Sequence, residues 1–555
     1  MRKFLFILFL FPALTFAQRN LPLNREWGIL NEVHRDAILK DTVPTPVHKY
    51  QTLNVEKFVS DPSCFKPYIT KSFAPLKDKS RKWIIRKLKY ESAVVLKDSA
   101  DRFNLSVDPL LVFEAGSDLA SSGNELLYKN SRGILLRGDI GEKISFESSF
   151  YENQATYAAY IDSYIASTDD LFPQTANYNY NVIPGQGRSK PFRSNGYDFS
   201  MASGYISYSP SKLFNFQVGH GKHFVGDGYR SLLLSDNAFN YPYARITTTW
   251  KNIQYTNLYA SFMNLTNGGT VTPAYVERLF QKKTASFQML SVNLFKRLQL
   301  GVFQGMIWEG ADTVNSQHLS FNTFNPVIGV NTAVYGLNHE NNILLGATMK
   351  FKITSSLSLY GQFMLDDVYD SDEGGEVRSK NGWQLGFKYH NLFGAKNLNI
   401  QAEYNSARPY SYAAVNTEQS YTHYNQALAH PLGANFNEAI GIVNYLFRDF
   451  FLQLKGNYAV KGLDSLNHNY GGNIFRTTGS FPIGQKLDNI STTGGLRTEI
   501  INLDMQLGYL VNHATNLNIY VGFTNRIQTI NSAASNTQII YFGLRTSLSN
   551  VYYDF

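Results

Sequence analysis

The sequence predicts an all-β fold, a transmembrane outer-membrane β-barrel of about 18 antiparallel strands behind a short, partly helical N-terminal periplasmic segment. Three observations lead there: an export signal at the N-terminus, repeated segments of about ten alternating apolar and polar residues, and connections that are alternately short and long. Composition agrees. The 555 residues include 36 Tyr, 39 Phe and 5 Trp but only 17% charged residues, against roughly 25% in soluble chains. The single Cys cannot build an intramolecular disulfide framework or, alone, a cysteine-based zinc site. A net charge of +8 without a basic run gives no reason to expect nucleic acid as a partner.

Met1-Arg2-Lys3, the apolar run Phe4 to Phe11, and Pro12 to Ala17 have the basic, greasy and small-residue regions of a secretory signal peptide. Cleavage is expected between Ala17 and Gln18, so residues 1–17 form the first unit. No later stretch approaches the roughly 18 apolar residues of a membrane-crossing helix. Residues 18–105 lack strand alternation, carry Pro22, Pro44, Pro46, Pro62, Pro67 and Pro75, and form the expected periplasmic segment. A candidate helix at 80–93 sets Trp83, Ile84 and Leu88 beside Arg81, Lys82, Arg86, Lys87 and Lys89. That composition suits either a phospholipid surface or a seat at the barrel mouth.

Residues 106–555 form the expected barrel. Eighteen alternating segments are read at 110–118, 132–140, 143–152, 197–208, 213–224, 241–250, 252–265, 284–295, 298–308, 343–353, 355–366, 381–391, 397–406, 436–447, 450–460, 501–512, 517–527 and 537–550. In the eleventh, Leu357, Leu359, Gly361, Phe363 and Leu365 are assigned to lipid, and Ser358, Tyr360, Gln362 and Asp366 to the lumen. In the last, Ile540, Phe542, Leu544, Thr546 and Leu548 oppose Tyr541, Gly543, Arg545 and Ser547, and the chain finishes on Tyr552, Tyr553 and Phe555, a habit of outer-membrane barrels. Short links such as Gly141-Glu142, Lys296-Arg297 and Arg448-Asp449 alternate with long ones at 153–196, 309–342, 407–435 and 461–500. The short set belongs at the periplasmic end and the long set at the cell surface.

Chemistry-bearing motifs are few. His220 and His223 are three apart, which puts them on opposite faces of a strand, so ordinary hydrogen-bonded histidines are preferred over a metal pair. The acidic run Asp366 to Glu376 fails the calcium-loop pattern: counted from Asp370, position six is Gly375 but position twelve is Asn381, where a bidentate carboxylate is needed. There is no Gly-x-Ser-x-Gly elbow, P-loop or dinucleotide fingerprint. Neither an enzyme nor a cofactor or metal protein is expected.

Two segments go beyond barrel grammar: Gly226-Asp227-Gly228-Tyr229-Arg230-Ser231-Leu232-Leu233-Leu234-Ser235-Asp236-Asn237-Ala238, and Tyr421-Thr422-His423-Tyr424-Asn425-Gln426-Ala427-Leu428-Ala429-His430-Pro431-Leu432-Gly433-Ala434-Asn435-Phe436. With Phe324-Asn325-Pro326-Val327, Asn342 to Gly346 and Leu359 to Phe363, they resemble the RemB gliding-motility proteins of Bacteroidetes within the broader Wzi-like capsule-assembly family. The resemblance implies a non-enzymatic surface barrel linked to gliding or to attachment or assembly of polysaccharide. Outer-membrane lipid, surface polysaccharide and components of the gliding or secretion machinery are the implied partners. Tyr229, Arg230, Asp236, Tyr421, His423, Tyr424, Asn425 and His430 are the candidate contacts, either to polysaccharide or within a loop plug that braces the lumen. The competing function is a general diffusion porin or small-solute channel. Whether loops 225–240 and 407–435 fill the lumen separates the two.

Overall fold

A computed structural model describes residues 19–20, 52–53, 83–89 and most of 91–555, apart from 99–101, 124–125, 168–180, 269–279, 310–320, 336–340, 370–377, 466–467, 477–490 and a few single positions. The expected signal peptide, most of the segment to residue 105 and the acidic residues beyond Tyr369 lie outside the described residues.

Eighteen long antiparallel strands close into one barrel. They are β1 Phe103–Asp118, β2 Leu126–Ile140, β3 Ile144–Thr156, β4 Gly196–Tyr208, β5 Phe214–Gly221, β6 Tyr241–Trp250, β7 Ile253–Gly268, β8 Phe280–Phe295 and β9 Leu298–Glu309. The circuit continues with β10 Asn342–Lys352, β11 Leu357–Tyr369, β12 Arg378–Tyr389, β13 Leu398–Ala407, β14 Phe436–Phe447, β15 Phe450–Leu463, β16 Leu496–Asn512, β17 Leu517–Ile530 and β18 Ala533–Arg545. Each pairs with its sequence neighbour, and β18 returns to β1 with Ile539 opposite Asp118 and Arg545 opposite Val112. Closure satisfies every strand edge, the condition for a sheet to survive in hydrocarbon.

The alternation read from the sequence sets the two faces. On β11, Leu359 and Phe363 are exposed outward while Ser358, Tyr360, Gln362 and Asp366 are buried inward. Ile540 and Phe542 on β18, Leu503, Met505 and Leu507 on β16, and Val302 on β9 continue the exposed apolar belt. The inward face is not uniformly polar. Phe262, Phe287, Met289, Phe303, Leu344 and Met364 project into the lumen and join its buried cluster, which is why several mid-chain strands are apolar on both faces.

Several strands run longer or shorter than expected, and the barrel sheet starts before residue 106: the first long strand begins at Phe103 and Val94–Lys97 pairs antiparallel with Asn104–Val107, inside the stretch expected to lack strands. Three further differences bear on the site. The connection between β17 and β18 is the two-residue turn Asn531-Ser532, both with positive φ (46° and 72°), rather than a longer loop; such a pair matches the twist of a hairpin. The last strand ends at Arg545, not at residue 550. The Thr546 hydroxyl accepts the Leu111 amide at 2.9 Å, and Leu548, expected on the lipid face, packs on the inward cluster of Leu110, Leu135, Tyr151 and Met201. The described residues of 546–555 therefore turn into the barrel. Finally, the helix expected at 80–93 covers Trp83–Lys89. Its end is held at the short-turn mouth by Asn512, whose Nδ2 donates to the carbonyls of Lys87 and Glu91 at 2.9 and 3.0 Å. Trp83, Ile84 and Leu88 are left exposed.

The face assignment predicts different costs for two substitutions at one position. Phe363→Arg, placed mid-strand on the apolar belt, should destabilise the barrel in lipid vesicles by about 2–4 kcal/mol in urea unfolding. Phe363→Leu should be close to neutral.

Candidate functional site

The lumen is occupied from both ends. From the long-loop end come residues 222–240, between β5 and β6, and residues 408–435, between β13 and β14. From the short-turn end comes the C-terminal tail, 546–555.

The first loop is built to lie against the wall. A Cβ on Gly228 would meet Glu403 Oε2 at 2.5 Å, and one on Gly346 of β10 would meet Leu233 Cδ2 at 2.3 Å, so glycine at both places permits the close approach. Glu403 on β13 accepts the backbone amides of Tyr229 and Arg230 at 2.6 and 3.0 Å. Gln362 on β11 accepts from Leu232 N and donates to the Val225 carbonyl, each at 2.9 Å. Lys350 pairs with Asp227 at 3.0 Å. Leu232, Leu233 and Leu234 are then fully buried inside a membrane-type barrel, where they form a core of the kind found in a soluble protein.

The second loop locks over the first. Tyr412 and Tyr421 donate their hydroxyls to the carbonyls of Leu232 and Leu233 at 2.8 and 2.6 Å. A small hairpin pairs Thr422–His423 with Gln426–Ala427, turning at Tyr424 and Asn425, which both have positive φ (54° and 52°). His423 accepts the Met263 amide at Nδ1 (2.9 Å) and faces the Asn240 carbonyl with Nε2 (3.1 Å). That pairing requires the neutral Nε2–H tautomer, in accord with burial pushing its pKa down to about 3. Lys283 on β8 donates to the Ser420 carbonyl and Thr422 hydroxyl, both at 2.9 Å.

The two loops and the tail meet at Arg230. Its guanidinium, 1% exposed, bonds Glu438 through Nη2 (3.0 Å) and Nε (3.3 Å) and pairs with Asp554 at 3.0 Å. Tyr229 donates its hydroxyl to Asp554 at 2.7 Å, and Lys455 pairs with the same carboxylate at 3.0 Å. Burial alone would raise the Asp554 pKa, but Arg230 and Lys455 hold it well below the usual carboxylate range. His430 places Nε2 2.7 Å from Glu438, with Nδ1 accepting the Leu432 amide at 3.2 Å. Asp236 grips the tail again, accepting from Asn550 Nδ2 and the Tyr552 hydroxyl at 2.6 Å each.

All eight sequence-predicted residues thus sit in or beside this assembly. Arg230, Asp236, Tyr421, His423, Asn425 and His430 are buried and Tyr229 and Tyr424 are half-buried, the Tyr424 ring lying 4.8 Å from Phe239. The sequence reading missed their wall partners Gln362, Glu403, Glu438 and Lys455, and Asp554 on the tail. A signal existed for the wall residues: each is a polar residue at an inward strand position. The acidic run contributes differently from a calcium loop, since Asp366 accepts the Tyr412 amide at 2.8 Å. His220 Nδ1 lies 3.1 Å from the Ala202 carbonyl and His223 Nδ1 3.1 Å from the Tyr241 hydroxyl, and no cluster of metal-ligating side chains occurs among the described residues.

Outside the plug, a cleft of about 450 Å³ opens at the long-loop end beside the helix Ala159–Ser167 and the start of β4, with Asp162, Ser163, Asn181, Ser189, Asn195 and Tyr197 in its lining.

Removing Arg230 takes the shared cation from two buried carboxylates, leaving Glu438 with His430 and Asp554 with Lys455. Arg230→Ala should lower unfolding stability by about 3–5 kcal/mol and leave the tail accessible to carboxypeptidase digestion, while wild type resists. Acid should act in the same direction. An unfolded histidine titrates near 6.5, so the stability lent by neutral His423 is complete above that pH and is lost as pH falls toward 3. The Asp554 contribution is present above roughly pH 3.9 and lost below it, as pH falls through its depressed folded value. Unfolding midpoints measured from pH 7 to 4 should fall, and His423→Gln should flatten that part of the profile.

Among solved structures, the chain is similar to Wzi of Escherichia coli, described as an outer-membrane carbohydrate-binding β-barrel involved in group 1 capsule assembly. The TM-score is 0.52 at 14% identity over 96% of this chain and 100% of that one. Other similar solved structures are OccAB2 of Acinetobacter baumannii, with a TM-score of 0.40 at 11% identity over 80% of this chain and 98% of that one, and OprD of Pseudomonas aeruginosa, with 0.40 at 10% over 81% and 96%. No curated protein sequence matches the chain. The family model for the capsule assembly protein Wzi matches residues 119–527, which takes in both loops of the plug and all but the ends of the barrel. This outer-membrane barrel belongs to the Wzi capsule assembly family.

Proposed function

We propose that the protein binds polysaccharide at the cell surface and serves in its attachment or assembly, and that it is neither a diffusion porin nor an enzyme. The observation that carries this reading is the lumen filled from both ends and joined at Arg230. A solute channel needs a continuous aqueous path, whereas a surface anchor needs a rigid outer platform. Buried and bonded as they are, Tyr421, His423 and His430 serve the platform from beneath, fixing the loops that carry its outer surface.

The polysaccharide itself is proposed to lie in the external cleft. Asp162, Ser163, Asn181, Ser189 and Asn195 offer side chains that donate to and accept from sugar hydroxyls, and Tyr197 adds an aromatic ring. The finer likeness to the RemB gliding proteins, carried by residues 226–238 and 421–436, extends the proposal to surface motility and to components of that machinery as partners.

Purified protein should bind cell-derived polysaccharide in a pull-down. Asn195→Ala and Tyr197→Ala should each weaken binding about five- to thirty-fold, the effect of losing roughly 1–2 kcal/mol. A deletion strain should shed surface polysaccharide, and its colony spreading should fall if the motility role holds. Full retention of polysaccharide by that strain, together with no binding in vitro, would sink the proposal.

A further inference from the structure

The long connection between β9 and β10 does not stay at the surface. Its described part, with a turn at Phe321–Phe324 and a short helix Val330–Tyr335, lies against the outer wall of the barrel. The wall there is anomalous. Asn257, Gln288 and Gln304 occupy one cross-strand row on β7, β8 and β9, at positions whose parity points outward, yet each is buried. The loop covers them. Gln288 Nε2 donates to the Asn325 carbonyl at 3.1 Å, and Gln304 Oε1 accepts the Gly329 amide at 2.7 Å and the Thr332 hydroxyl at 3.2 Å. Tyr255 and Tyr259, also outward-facing, donate their hydroxyls to the carbonyls of Pro326 and Phe324. Ile328 N returns a bond to the Tyr255 hydroxyl at 2.9 Å.

The polar groups of the segment are thus spent on the wall, and its apolar side chains point away. Phe324, Val327, Val330 and Val334 are 48, 54, 40 and 67% exposed. Their depth identifies what they meet. Gln304 is five residues below Glu309, the long-loop end of β9, and tilted strands rise about 3.3 Å per residue, so its row lies roughly 13 Å into the wall. Val302, two residues further along β9 on the same face, is part of the exposed apolar belt. The patch is continuous with the surface that already faces lipid.

We propose that residues 321–335 form a re-entrant clasp embedded in the outer leaflet, whose partner is the hydrocarbon of the lipid acyl chains. The clasp exchanges a polar row on the lipid face, costly in hydrocarbon, for an apolar one. It gives the protein a lipid-anchored element connected directly to an external loop.

The test uses the full-length mature chain with Cys64→Ser, carrying a single environment-sensitive fluorophore at Val327→Cys or Val334→Cys, in phosphatidylcholine vesicles. Labels at Val302→Cys and Asn531→Cys serve as lipid and water references. Brominated acyl chains should quench the 327 and 334 labels as they quench the Val302 label, and aqueous iodide should quench them little. Gln304→Leu, which removes the acceptor for Gly329 and Thr332, should raise iodide quenching at 327 toward that of the Asn531 label. Strong iodide access in the unmodified background would overturn the proposal. So would bromolipid quenching that is absent while label-to-label energy transfer rises with protein density, the mark of a second copy covering the patch.

Discussion

The structure depends on a buried cation between two carboxylates that arrive from different directions. Arg230 comes from an external loop, Glu438 from the barrel wall and Asp554 from the C-terminal tail. Each partner alone would be an uncompensated charge in a medium that tolerates none. Together they define one arrangement of three chain segments separated by more than 200 and 300 residues. Lys455 and the Tyr229 hydroxyl complete the coordination of Asp554, and His430 completes that of Glu438. The charges specify geometry; the stability of the plug comes from the apolar mass around Leu232, Leu233 and Leu234.

This combination gives the barrel two interiors in series. One is the wall, whose outward belt is solvated by lipid and whose backbone is paired strand to strand. The other is a packed core within the lumen, with tyrosines, leucines and phenylalanines in contact and polar wall side chains bonded to loop backbone. Gln362, Gln384 and Glu403 act as substitutes for water toward loop amides and carbonyls that have no strand to pair with. A loop can remain irregular at membrane depth only under that condition. The same rule governs the clasp on the outer wall, where Gln288 and Gln304 receive backbone groups that would otherwise face hydrocarbon.

Much of the architecture was legible because every second residue of a membrane strand meets lipid and must be apolar. Leu359, Phe363, Ile540 and Phe542 face outward as their spacing requires, and all eighteen strands fall on segments so identified. The alternation fails where another interaction outweighs it. Leu548 matches the outward pattern but follows the tail inward to Leu110 and Met201. Gln288 and Gln304 are outward and polar, which alternation alone cannot explain without the covering segment. The loop residues stood out as a group through the resemblance carried by residues 226–238 and 421–436, which left polysaccharide contact and bracing of the lumen both open. Their partner Asp554 did not, because an aspartate between two terminal aromatics carries no sign of a contact more than 300 residues away.

The central claim is that loops and tail together fill the lumen, and single-channel recording in planar bilayers tests it most directly. Wild-type protein should be electrically silent, and a variant ending at Arg545, stripped of the tail that seats against Arg230 and Asp236, should show stepwise openings. Large, steady conductance from the wild type, unchanged by removing the tail, would contradict the account.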